Sequence, residues 1–240
     1  MLDSSQSSDT ARLGDLGDVQ GGIGTGRIES DAPRTGRLAL GVQITAIASG
    51  TLDWSHLKPI DPKGPIERYT VKPDDLLFAL RAPLAFTRIA PLPDDWMERL
   101  ETSVRRRLLE RTAPEDVEGT VQPRLVVIGP TALFRANPNL TSPGYIDWIF
   151  HQGATRYQAN KLAKGNTILQ FISIKDLRQL EIPLPDLETQ RKIAHIWTLQ
   201  QRVLELEHKR LAAEQEHARG LLQALTNLQS RPHHLQHKAH

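Results

Sequence analysis

The sequence predicts an α+β protein: a mixed, mostly antiparallel β domain with short helices, followed by one long C-terminal helix able to form a coiled coil. Three observations lead there. β-type runs separated by Gly and Pro turns fill most of the chain before residue 183. Pro183 and Pro185 then lock the segment Ile182-Pro183-Leu184-Pro185 in extended form, because each proline fixes φ near about −65° and disfavours helix at the residue before it. From Asp186 to Leu228 there is no proline, and an apolar residue recurs every seven positions at Trp197, Leu204, Leu211, Ala218 and Leu225.

Composition bounds the function. A chain of 240 residues can hold one domain with a real core plus an extension, and 39% hydrophobic with 24% charged residues is the balance of an ordinary globular protein. There is no cysteine, which excludes disulfides and cysteine-ligated zinc and fits a reducing, cytoplasmic setting. The start, "MLDSSQSSDT", lacks the basic and apolar regions of a signal peptide. Nothing approaches the roughly 20 apolar residues of a membrane helix, so no membrane partner is expected. The net charge of +2 is unevenly spread. Residues 1–123 carry 15 Lys and Arg against 19 Asp and Glu, whereas residues 124–178 carry seven against two. The second region is either a solvated basic face or the place where a polyanion binds.

The expected organisation is a disordered tail over 1–11, a domain over 12–185, a helix over 186–229 and a disordered His-rich tail over 230–240. "RLGDLGDVQGGIGTGR" reads as a short strand and a glycine-rich loop, and "RLALGVQITAIASGTLDWSHL" as strands broken by Gly50. Lys72-Pro73-Asp74-Asp75 is a turn between two β-type runs. Trp96, Leu100, Val104 and Leu108 recur at four-residue spacing, predicting an inserted surface helix over 94–111. Its consecutive Arg105, Arg106 and Arg107 fan around the circumference and cannot all face one groove. "SPGYIDWIFHQ" suits a short helix. "GATRYQANKLAKGN" reads as a basic, amide-rich loop followed by a strand. Ser173 is a plausible N-cap for "IKDLRQL", and Asp186 for the long helix, with Glu188 in its first turn where the helix dipole favours negative charge. Beside the apolar row of that helix runs a mixed one: Ile193, Gln200, Glu207, Glu214, Leu221 and Leu228.

From Gly165 onward the residues resemble the DNA-specificity (S) subunits of type I restriction–modification systems. The resemblance rests on Gly165-Asn166, then Ile172-Ser173 with Leu177, then Ile182-Pro183-Leu184-Pro185, then Leu187, Gln190 and Ile193. In that family these positions close a target-recognition domain and open a long conserved helix. "RLGDLGDVQGG", "YTVKPDDLLFALRAPLAFTRIA" and "LTSPGYIDWIFHQ" agree more loosely, with Asp74 where the family has glycine. The resemblance spans about residues 12–228. It departs in length: family members that act alone have two recognition domains and two long helices, and this chain has one of each.

The resemblance implies a non-catalytic subunit that reads one half of a bipartite site in double-stranded DNA. It implies as partners DNA adenine methyltransferase (M) subunits, an ATP-dependent restriction (R) subunit where restriction accompanies modification, and a second copy or second half-subunit to complete the helix pair. The expected DNA-binding residues are Arg156, Gln158, Asn160, Lys161, Lys164 and Asn166, with Arg81 and Arg88 as second candidates. Arg to guanine and Asn or Gln to adenine are the usual major-groove pairings. The expected partner-binding residues are Gln190, Ile193, Trp197, Leu204, Leu211, Ala218 and Leu225. No catalytic residue, metal or cofactor is expected: Asn137-Pro138-Asn139 and Ser142-Pro143-Gly144-Tyr145 each match only half of a methyltransferase loop, and "GGIGTGR" lacks the Lys-Ser/Thr of a phosphate loop. The alternatives are a coiled-coil adaptor that does not read DNA and an inactive, truncated specificity subunit.

Overall fold

In the computed structural model the described residues are 9–24, 26, 28–29, 39–62, 64–81, 84–89, 94–100, 102, 105–106, 124–165 and 170–229. Contacts divide the chain into two units, Met1–His195 and Ile196–His240.

The first unit is built around a four-stranded antiparallel sheet. Its strands are β2 (Gly17–Gly21), β6 (Leu76–Ala79), β7 (Ala85–Arg88) and β9 (Thr131–Ala136), in the order β2-β9-β6-β7. Side chains alternate across a strand, and here both faces are buried. Leu77, Ala79 and Leu133 point into one apolar cluster; Leu76, Phe78, Ala132 and Phe134 point into another. That is why "LLFA" is a continuous apolar run rather than an alternating one.

The first cluster is shared with a second sheet: β3 (Ile28–Glu29), β4 (Ala39–Val42), β5 (Lys58–Pro62) and β8 (Arg124–Val127), in the order β3-β5-β4-β8. Here β4 and β8 run parallel, and every other ladder among the described residues is antiparallel. The second cluster is covered by helices. α2 (Pro143–His151) supplies Tyr145, Ile146, Ile149 and Phe150, and α4 (Ile174–Arg178) supplies Leu177. The Phe150 ring centroid lies 4.8 Å from that of Phe78 and 5.5 Å from that of Phe86. Chain order also holds α1 (Trp96–Arg99), ahead of α2, and α3 (Gly153–Lys161), between α2 and α4.

The Lys72–Asp75 turn is pinned from inside. Asp74 adopts φ 68°, the left-handed region that glycine enters freely and aspartate tolerates. The next residue, Asp75, is buried, and its carboxylate accepts from the Lys72 N–H at 2.7 Å and from the Arg135 guanidinium at 2.9 and 2.6 Å. Arg135 also donates to the Thr70 carbonyl. The bond to Asp75 raises the Arg135 pKa.

Several sequence expectations need correction. The tail expected over 1–11 includes strand: β1 (Thr10–Arg12) pairs with β12 (Glu181–Pro183). In "ALGVQITAIASGTLDWSHL" only β4 is a strand. Beyond it lie 3-10 turns at Ile44–Ala46 and Trp54–His56, because Gly50 takes φ 80° and the Asp53 carboxylate accepts from the Ser55 N–H and caps the second turn. β5 carries Pro59 and Pro62, and it is a strand because each half has a ladder partner on one side only, β4 over Lys58–Ile60 and β3 over Asp61–Pro62. The start of the glycine run is tied to neighbouring strands: the N–H groups of Gly22 and Ile23 donate to the Thr131 and Val127 carbonyls. Of the helix expected over 94–111, the described part centres on α1, with Trp96 and Leu100 packed on the first cluster; residues 101, 103–104 and 107–111 lie outside the described residues, as does the 230–240 tail.

The second unit is helical. α5 (Leu187–Gln229) is 43 residues long, about 65 Å at ~1.5 Å per residue, and contributes its first turns to the first unit. In the second unit Ile196, Leu199, Val203, Leu204, Leu206, Leu211, Leu221, Leu222 and Leu225 are exposed. No helix among the described residues is long and apolar enough to cross a membrane.

Replacing Arg135 by Met should destabilise the protein by about 3 kcal/mol, because it strands the buried Asp75 carboxylate. Arg135 keeps 32% of its side chain exposed, which holds the cost at the lower end of that range. Urea unfolding of the two proteins checks it.

Candidate nucleic-acid interface

The motif residues leading into α5 are held by a dense set of hydrogen bonds. The β1–β12 ladder is extended at both ends, with Leu13 N–H donating to the Leu180 carbonyl and Leu184 N–H to the Asp9 carbonyl. The Tyr145 hydroxyl donates to the Pro183 carbonyl at 2.6 Å, and burial pushes its pKa up to about 12, so it stays a donor. Asp186 caps α5 as the sequence predicts: its carboxylate accepts from the Thr189 N–H at 2.9 Å and the Thr189 hydroxyl at 2.7 Å. These bonds, the backbone one first, lower its pKa.

Gln190 and Ile193 were expected to face a partner. Gln190 is instead 1% exposed. Its Oε1 accepts from the Thr141 hydroxyl at 2.8 Å and the Ser142 N–H at 3.1 Å; its Nε2 donates to the Pro185 carbonyl at 2.8 Å and the Leu140 carbonyl at 3.5 Å. Ile193 packs on the second apolar cluster. Both tie the start of α5 to its own body. Gly144 marks how close that packing is, since a Cβ there would lie 2.9 Å from that of Ala194.

The basic segment expected as a loop is the helix α3. Thr155 and Ala159 are its buried residues, and Arg156, Tyr157, Gln158 and Lys161 are exposed. The Lys161 ammonium sits 4.5 Å from the Tyr157 ring centroid. Asn160 is half-buried, and its Oδ1 accepts from the Leu84 N–H at 2.8 Å, fastening α3 to the start of β7. After α3 come β10 (Lys164–Gly165) and β11 (Gln170–Phe171), paired with each other. Lys164 is exposed and donates to Asp176 at 2.8 Å; that bond comes first among the causes lowering the Asp176 pKa. Asn166 lies outside the described residues.

The two second-rank arginines part company. Arg88 is half-buried, with Nε 3.9 Å from the Asp147 carboxylate and its guanidinium against Gly144, so it holds α2 down on β7. Arg81 is exposed and forms an isolated antiparallel bridge with Phe171. It also lines a cleft of about 590 Å3 together with Arg156, His151, Ile44, Leu84 and Phe86. The structure thus gathers Arg81, Arg156 and Lys164 around one region, with Lys161 at the end of α3. It adds one residue that sequence reading missed: Phe171, read only as part of a strand, is 56% exposed beside them. Among the described residues no group of three or more His, Cys, Asp or Glu gathers to hold a metal.

Among solved structures, the crystal structure of the HsdS subunit from Thermoanaerobacter tengcongensis matches 96% of this chain with a TM-score of 0.51 at 19% identity. The chain has the HsdS fold. It spans 51% of the HsdS chain's length, and its HsdS-like architecture consists of one mixed α+β body and one long helix. A structure from a study of complex assembly and conformational transition of the type I R-M system aligns over 88% of the chain (TM-score 0.49, 21% identity). The type I restriction–modification S subunit from M. genitalium aligns over 85% (TM-score 0.45, 13% identity). No protein-family model and no curated protein matches the sequence.

Exchanging Gln190 for Leu should cost roughly 2–4 kcal/mol, since it leaves the buried Thr141 hydroxyl and Ser142 N–H without their acceptor. Chemical unfolding followed by tryptophan fluorescence measures it, and a loss within 0.5 kcal/mol, the size of an ordinary surface change, would deny the residue its anchoring role.

Proposed function

We propose that the chain is a non-catalytic DNA-specificity subunit of a type I-like restriction–modification complex, reading one half of a two-part site in double-stranded DNA. The observation that carries this is the convergence of Arg81, Arg156 and Lys164 on one side of an HsdS-like body. Lys161 and Gln158, both exposed on α3, belong to the same reading. Cations position the duplex through phosphates, and the amide and guanidinium groups read base edges. Arg88 and Asn160 serve the site indirectly, by holding α2 and α3 in place.

The body carries little excess positive charge: residues 1–190 hold 22 Lys and Arg against 24 Asp and Glu. Non-specific affinity is therefore modest, and methyltransferase subunits that clamp the DNA supply the rest, with an ATP-driven restriction subunit joining for cleavage. The exposed apolar row of α5 suits a symmetric dimer in which two copies pair their helices and each body reads one half-site. The seam is Trp197, Leu204, Leu211, Ala218 and Leu225. Leu204, Leu211 and Leu225 are 42%, 47% and 59% exposed, apolar area that a second copy removes from water.

Selection from a randomised double-stranded DNA pool, with and without an adenine methyltransferase subunit, tests the reading. A specific sequence should be enriched; no enrichment in either arm would favour an adaptor that does not read DNA. In the same assay Lys161→Glu with Lys164→Glu should weaken binding at least tenfold and flatten the salt slope by about 2, since each phosphate contact contributes about 0.9, with the circular-dichroism spectrum unchanged. Sedimentation equilibrium at micromolar concentration should give a dimer, and Leu204→Glu with Leu211→Glu should give a monomer. A wild-type monomer with an intact helix would refute the pairing.

A further inference from the structure

We infer that Phe171 is a base-contacting residue, placed to lay an apolar ring against base edges in the major groove while the cations on either side hold phosphates. The inference rests on the DNA-reading proposal and adds to it a contact of a different chemical kind.

The argument is one of register. In an antiparallel ladder, residues directly opposite one another present their side chains on the same face. Phe171 is opposite Lys164 in the β10–β11 ladder and opposite Arg81 in the isolated bridge on its other side. Lys164, Phe171 and Arg81 therefore form a row across three adjacent segments and share one face. The neighbouring residues confirm which face it is. Ile172 and Leu80, each the chain neighbour of a residue in the row, are buried in the second cluster at 1% and 7% exposure. Alternation then turns Phe171 and Arg81 to solvent. The Ile172 N–H donates to the Leu80 carbonyl at 3.0 Å, which fixes the two segments side by side.

A lone exposed apolar residue is ordinary. A phenylalanine ring held by backbone pairing between an arginine and a lysine is a more particular arrangement. Strands lie about 4.8 Å apart, so the backbones of Arg81 and Lys164 are about 10 Å apart across the row. The major groove is about 12 Å wide and admits a two-stranded ribbon. Side chains as long as Arg and Lys reach its phosphate rims from that spacing, and the shorter ring between them faces the floor. Among the donors and acceptors of the floor, what suits an aromatic ring is the thymine C5-methyl, the apolar group displayed there. The Lys164–Asp176 pair does not close the row: Asp176 is half-buried, but the lysine is 72% exposed, and a surface pair of this kind is weak enough for the ammonium to swing to a phosphate. Tyr157, the other exposed ring of the region, already has the Lys161 ammonium on its face, so Phe171 is the better placed of the two.

The test uses the full-length protein and the sequence that the wild type enriches from the pool. Phe171→Ala should bind that sequence on the order of tenfold more weakly and bind scrambled DNA within about twofold of wild type, the size of effect expected when recognition of one base pair is lost. The salt slope should not change, because no phosphate contact is lost. Phe171→Tyr should retain most of the affinity. Repeating the selection with Phe171→Ala should relax the preference at one or two adjacent positions. Equal affinity of the Ala variant for the selected sequence would overturn the inference and assign the ring to a protein contact. So would an equal loss on both DNAs, or a reduced salt slope. If the wild type enriches no sequence at all, the DNA-reading proposal fails and this one falls with it. Thermal melting controls for folding, and Phe171→Leu, which keeps an apolar side chain at the same exposed position, provides a second variant should Ala be poorly behaved.

Discussion

A buried side-chain amide has two donor protons and two acceptor lone pairs, and each one left unmatched costs free energy. Gln190 meets that demand with a hydroxyl, a backbone N–H and two carbonyls drawn from the stretch before α2 and from the proline segment before α5. The first turns of α5 are therefore fixed to the body by hydrogen bonds of defined geometry rather than by apolar contact alone, which tolerates sliding. Pro183 and Pro185 remove backbone freedom just upstream, and the β1–β12 ladder holds the same residues from the other side. The motif that the family resemblance singled out, Ile-Pro-Leu-Pro followed by Leu-x-x-Gln-x-x-Ile, is thus a mechanical part. Ile182 is wholly buried, Gln190 is bonded on all sides, and Ile193 packs on the core.

The proposed reading surface stands on a different kind of support. The central sheet is buried on both faces, so its strands cannot shift register without exposing one apolar cluster or the other. Arg81 follows directly from β6, the most buried of those strands, and inherits its rigidity. α3 is fastened by Asn160 to the chain leading into β7, and α2 by Arg88. Polar residues that sequence inspection assigns to the interface thus split into two sets. Some are free to meet a ligand, and others are spent on positioning the first set. Both sets have the same composition, and only coordinates separate them.

Much of the molecule was legible beforehand because its signals are local. The caps at Ser173 and Asp186, the extended proline segment, the α2 helix after Ser-Pro-Gly and the length of α5 all follow from residues within one turn of where they act. The misses have non-local causes. α3 has only Thr155 and Ala159 buried, two small residues one turn apart, so "GATRYQANK" carries almost no apolar period and reads as a loop. β5 contains two prolines, which argue against a strand until one sees that each half of it is paired on a single side. β1 consists of three unremarkable residues, Thr-Ala-Arg, whose strand character comes entirely from a partner far along the chain. Phe171 was overlooked for a related reason: exposure of an aromatic at a strand position is a property of the neighbours across the ladder.

The pairing of Thr10 with Pro183 has a temporal side. A polypeptide made from its amino end produces the β1 half of this clasp well before the β12 half, which follows only after nearly all of the body between them has been synthesised. Closing so large a loop is slow and rewarding only when the intervening parts are already compact. By that argument the clasp closes after the body has formed, and the α5 segment is made after both halves of the clasp. Synthesis therefore makes the exposed apolar stripe of α5 available only after the residues of the body it springs from.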